Sequence, residues 1–188
     1  MPRCCNSWPG RRRVTNGELK KLLLATFGHL DDKQLLALTI YGEARGEGRD
    51  GMIAVGTVVL ERVEHRGWDG DTIQEVCLMP WQFSTFLPTD PNFIALKMMA
   101  LHFDNQYAHS ITVQKCYLVA SGLIDGTIAR TPEIAEHHIC QYVEANYRQK
   151  IDDSAKTATG PKLAGIDKSR WWIRMKLAAT VGHHEFYA

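Results

Sequence analysis

The run Tyr41-Gly42-Glu43-Ala44-Arg45-Gly46-Glu47-Gly48 places three glycines in seven residues, between two segments of helical hydrophobic period. Glycine costs about 1 kcal/mol relative to alanine in a helix interior, so one helix has to end here and another begin. Upstream, Asp31 and Asp32 supply N-cap and first-turn carboxylates, and Leu35, Leu38, Ile40 and Tyr41 recur at helical spacing. Downstream, Val55, Val58, Val59 and Val63 predict a buried stripe on a helix over 52–65, with Glu61, Arg62 and Glu64 mostly outward. Further helices are predicted over 18–27, ended by Gly28, over 72–78, ended by Pro80, and over 91–122, in two pieces with a break near 104–109. Ile139, Cys140, Tyr142 and Val143 suggest a strand, and the polar stretch 152–169 a loop. The fold class is therefore α+β, mainly helical: a single domain over 18–188 with a small β element, preceded by an arm over 1–17.

Composition narrows the function classes. With 188 residues, 45% apolar and 23% charged, the chain is no disordered protein, collagen or coiled coil. No apolar run reaches the roughly 18 residues of a membrane span, and no secretory h-region precedes Arg11-Arg12-Arg13, so synthesis in the cytoplasm without a signal peptide is expected. Residues 1–21 hold six basic side chains against Glu18, a net +5, which leaves −4 for the rest. A solvated tail is the plain expectation for such an arm, and attraction to an anionic envelope surface the functional one. Nucleic acid is not expected as a partner of the slightly acidic body. Five cysteines without Cys-x-x-Cys spacing form neither a disulfide framework nor a zinc site.

Glu43 and Glu47 stand four apart, a like-charge pair that would cost a few tenths of a kcal/mol on a continued helix. Local stability sacrificed in this way marks candidate functional residues. The structural alternative pairs these acids with Arg45 or Arg49. Glu43, at the edge of the apolar face, suits a general acid, because apolar neighbours raise a carboxyl pKa. Glu47, at the glycine-flanked end, is expected to be wetter and more readily ionised. The pairs His137-His138 and His183-His184 offer at most one ligand each if extended, since neighbours on a strand point apart. No metal and no cofactor are expected. Trp171 and Trp172 read as core packing, with a carbohydrate platform as the alternative.

The stretch from Leu38 through Glu47, continuing over 51–63, resembles the SleB/CwlJ cell wall hydrolase family of spore-cortex-lytic enzymes and phage lysis proteins. The resemblance resumes at 71–76, at Gln82-Phe83-Ser84 and at Gly182-His183-His184-Glu185-Phe186-Tyr187, and is weak over 127–170. It implies a lysozyme-like, lytic-transglycosylase-like catalytic domain acting on bacterial peptidoglycan, with the family's catalytic glutamate at Glu43. Tyr41, Glu47, Gln82, Phe83, Ser84 and His137 become candidate substrate-binding residues, with Trp81 an added stacking face for a sugar.

Two mechanisms follow from that implication. Most glycosidases use two carboxylates, and Glu61, Glu136 and Glu144 remain open as the second. A lytic transglycosylase needs one, because the muramyl 6-hydroxyl is an internal nucleophile, and this route is preferred over the hydrolytic one. The expected setting is a monomeric endolysin of a bacteriophage, acting on the host wall. A non-catalytic peptidoglycan-binding module of the same fold and a zinc amidase are the competing readings.

Overall fold

The computed structural model describes residues 14–65, 70–136, 141–159, 170 and 175–187. Expectations for most of the arm, for His137, His138, Ile139 and Cys140, and for Trp171 and Trp172 lie outside these residues. The first helix, α1 (Asn16–Phe27), begins two residues before the sequence expectation. Thr15 and Glu18 cap its first turn reciprocally, and Gly28 closes it through an N–H to the Leu24 carbonyl. Next, α2 (Asp32–Ala44) starts on an equivalent box formed by Asp31 and Gln34, and buries every residue from Leu35 to Ile40.

The third helix, α3 (Gly48–Glu64), starts four residues earlier than expected, immediately after the glycine-framed turn. All its residues from Gly51 to Arg62 are buried. The outward placement expected for Glu61 and Arg62 is therefore corrected; Glu64 alone of the three is exposed. A helix enclosed on all sides has no solvent face to hold its polar residues, so these two are held by partners. Glu61 accepts from the Arg130 guanidinium at 2.8 Å, and the Arg62 guanidinium lies 5.0 Å over the Phe83 ring.

Beyond α4 (Ile73–Cys77) and a 3-10 turn at Ser84–Phe86, the expected two-piece helical segment is three helices: α5 (Phe93–Leu101), α6 (Phe103–His109) and α7 (Ile111–Ile124). The breaks fall at His102 and Ser110, and 104–109, expected as a break, is itself helical. Ser110 explains the second break, because its side chain accepts from the Val113 N–H and starts a new helix. After α8 (Pro132–Glu136) come β1 (Gln141–Glu144), α9 (Ala145–Thr157), β2 (Leu177–Val181) and β3 (His184–Tyr187). The expected loop from 152 is helical to Thr157, where side-chain pairs such as Arg148–Asp152 and Lys156–Asp153 support a polar helix.

The strands form an antiparallel sheet in the order β1-β3-β2. The main core is built where α2 packs on α3 and α7. A smaller cluster of Ala54, Val58, Ile134 and Phe186 joins another face of α3 to α8 and the sheet. The architecture is mainly helical with a small β element, as the sequence predicts. Among the described residues no helix is long and apolar enough to cross a membrane.

Candidate active site

Glu43 lies in the last turn of α2, half-buried. Its Oε1 accepts the Thr85 backbone N–H at 3.2 Å and the Ser84 hydroxyl at 3.4 Å. The glycine-framed carboxylate and the Gln82-Phe83-Ser84 segment, some forty residues apart in the chain, thus meet in one place. Gly42 allows the approach: a Cβ there would lie 2.0 Å from Thr85 Oγ1 and 2.6 Å from Thr85 Cβ. Thr85 is the member of this group that sequence reasoning missed. It acts through its backbone, which no residue preference reveals, and its position next to Ser84 was the only pointer.

The preceding turn holds Ser84 and Thr85 in place. Trp81 adopts φ 72°, a left-handed conformation rare for a bulky residue, and such strain costs on the order of 1–3 kcal/mol. Its indole N–H donates to Asn16 Oδ1 at 2.9 Å, tying the turn to α1, while 44% of the residue stays exposed. Gln82, half-buried, donates its backbone N–H to the Met79 carbonyl at 3.2 Å. Phe83 is only 2% exposed and sits under Arg62. The ring is packed into the core and anchors the segment, so it presents little surface of its own. Of the Trp81–Ser84 group, Trp81 and Ser84 present the exposed surface.

The second carboxylate has gone elsewhere. The helix ends at Ala44, so the spacing of four does not put Glu43 and Glu47 on one continued helix. Glu47 accepts the His183 backbone N–H at 2.6 Å on Oε2 and faces His183 Nδ1 at 3.0 Å on Oε1. Its side chain is 14% exposed, and like Glu43 the residue is half-buried. Burial pushes its pKa up, but the His183 backbone and ring together outweigh this and hold the carboxyl below its ordinary range. It is thus readily ionised through its contacts with His183. Gly51 and Gly182 leave it room, since a Cβ at either would lie 2.3 Å from a Glu47 atom.

The arginines that might have neutralised these acids are also placed. Arg45 donates to the Tyr41 and Gly42 carbonyls at 3.1 and 3.4 Å, closing α2, and to Asn92 Oδ1 at 2.8 Å. Its guanidinium lies 5.0 Å over the half-buried Tyr41 ring. Among the other candidate acids, Glu61 is held by Arg130, and Glu136 is exposed on α8. His183 is largely exposed on the turn between β2 and β3 while His184 is buried, so the pair does split its directions. Among the described residues no three of His, Cys, Asp or Glu gather to hold a metal.

A family model described as Cell Wall Hydrolase matches residues 46–187. The match begins three residues after Glu43 and runs through 127–170, where the motif likeness is weak. A solved structure, the crystal structure of the catalytic domain of the Bacillus cereus SleB protein, is 24% identical over 84% of this chain and 89% of that one, with a TM-score of 0.48. No curated protein matches.

Proposed function

As this chain belongs to the cell wall hydrolase family, we propose that it cleaves the glycan strand of bacterial peptidoglycan with Glu43 as general acid and base. The observation that carries the reading is the pair of hydrogen bonds from Ser84 and Thr85 to one oxygen of Glu43. They orient a half-buried carboxyl through one of its oxygens, beside the exposed surface of Trp81 and Ser84. Trp81, beside them, offers an exposed ring face of the kind that stacks on a sugar.

The chemistry needs one acid. Glu43 in its protonated form gives its proton to the glycosidic oxygen as the bond from C1 of the muramyl sugar to that oxygen breaks, and the sugar passes through an oxocarbenium-like transition state. The carboxylate left behind then takes the proton of the same sugar's 6-hydroxyl as O6 bonds to C1, closing a 1,6-anhydro ring. A single-acid route is supported by the engagement of Glu47 with His183 and of Glu61 with Arg130, which leaves neither poised as a nucleophile. Lysis of a bacterial host from within, by an enzyme made in the cytoplasm and acting on the wall, is the biological setting that goes with this reading.

Mass spectrometry of muropeptides released from purified sacculi tests it. Anhydro-muramyl ends are expected; reducing ends would replace the internal nucleophile with water, and intact glycan strands would refute the proposal. Glu43→Gln is expected to lower the turnover rate by about 10² to 10⁴-fold, the usual range for general acid–base catalysis, while thermal unfolding stays close to wild type.

A further inference from the structure

Next to the glycine-framed turn, between the start of α3 and one side of α7, lies a groove of about 460 Å³. Arg45, Arg49 and Lys115 supply its charge, Met52, Leu118 and Ile128 much of its apolar surface, and no acidic residue lines it. Arg49 and Lys115 have no acidic partner among the described residues. The groove also receives the start of α3, a helix of 17 residues whose N-cap, Glu47, makes no side-chain cap hydrogen bond. Gly48 there has φ 72° and open space around its Cα. Unsatisfied N–H groups at a helix start favour an anion, and two unpaired cations beside them favour it further. Asp50, the acid of that first turn, does not line the groove.

We propose that this groove binds the peptide stem of the muramyl residue that Glu43 attacks, taking the stem's carboxylates on Arg49, Lys115 and the start of α3, and its methyl-bearing side chains on Met52, Leu118 and Ile128. The inference rests on the glycan-cleaving reading given above. Position supports it: Arg45, which lines the groove, caps the same helix end that carries Glu43 two residues earlier. Charge complementarity supports it as well, because a stem combines free carboxylates with small apolar side chains, as the groove combines cations with apolar wall. A purely polyanionic partner would use the cations and leave the apolar side chains of the groove, Leu118 among them, without a counterpart.

The test compares sacculi that carry their stems with sacculi stripped of them by an amidase, using wild type and an Arg49→Gln/Lys115→Gln double variant. Both side chains are exposed, so the variant is expected to fold and to unfold thermally like wild type. On stem-bearing sacculi its KM is expected to rise on the order of tenfold with kcat unchanged, as suits the loss of two partly exposed charge contacts. On stripped glycan the two proteins are expected to be equal. Equal KM values on stem-bearing sacculi would overturn the proposal. So would a variant that keeps its preference for stems but loses binding to phosphatidylglycerol vesicles, which would reassign the groove to lipid headgroups. Should wild type cleave neither substrate, the glycan-cleaving reading fails on its own account. The stem site is then decided separately by titrating a soluble stem tripeptide into the protein and following the amide resonances of 48–52 and 112–119. Shifts lost in the double variant support the site, and their absence in wild type overturns it.

Discussion

At Gly42 the missing side chain lets the 3-10 turn come close enough for Thr85 to reach the carboxylate of the next residue. A Cβ at this position would overlap the Thr85 side chain at 2.0–2.7 Å, and such overpacking typically costs about 1–3 kcal/mol. Gly42→Ala is therefore expected to lower the melting temperature and to reduce glycan cleavage together, because the displaced turn withdraws both hydrogen bonds from Glu43. Calorimetry and a sacculus-clearing assay on the same preparation check this; a variant as stable and active as wild type would contradict it. Trp81 gives the opposite separation. Glycine there relieves the left-handed strain, worth about 1–3 kcal/mol, and loses the indole bond to Asn16, worth about 1 kcal/mol. Trp81→Gly should leave urea stability nearly unchanged yet raise KM for the glycan. Glu43 was legible as a residue because three glycines around a carboxylate break a local rule. The positive φ of Trp81 left no comparable mark, since only the chain around it enforces that conformation.

Among the elements, the turn joining β2 to β3 depends on Glu47 for its attachment to the start of α3. Because the folded protein holds this carboxyl below its ordinary range, its contribution is present above the unfolded-state pKa and lost as pH falls through the folded one. Urea denaturation followed from about pH 6 down to about pH 3 should show stability declining on the acid side. Glu47→Gln, which cannot ionise, should be less stable near neutrality and show a shallower decline. An unchanged acid limb in that variant would remove Glu47 from the account. The same elements show where helix boundaries can be read. Thr15 with Glu18, Asp31 with Gln34, and Thr72 with Glu75 are caps formed within four residues, so those starts stand close to where sequence puts them. The start of α3 has no such cap, and the polar helix α9 is held by side-chain pairs rather than an apolar stripe, so both boundaries were displaced.

For the whole molecule, α3 is the shared wall: it contributes to the main core on one side and to the cluster beneath the sheet on another. Its buried Glu61, 2% exposed, is held by Arg130, which also reaches Glu64. Removing the cation takes the guanidinium from a buried carboxylate that keeps His65 within 3.9 Å, and the loss of such a charged hydrogen-bond donor typically costs about 1–3 kcal/mol. Arg130→Met is thus expected to lower the unfolding midpoint sharply, and far- and near-ultraviolet dichroism should still report one shared transition, because both clusters lose their support together. Separate transitions would mean the sheet unfolds on its own. What the amino-acid sequence determined by itself was what local chemistry encodes: capped helix starts, a forced break between Tyr41 and Gly48, and a carboxylate marked by its glycines. Only the tertiary structure decided that Glu61, Arg62 and Phe83 lie inside, that Glu43 turns to Ser84 and Thr85, and that Glu47 turns to a residue 136 positions away. Those outcomes depend on which surfaces lose water when distant segments pack, and no window of neighbouring residues contains that information.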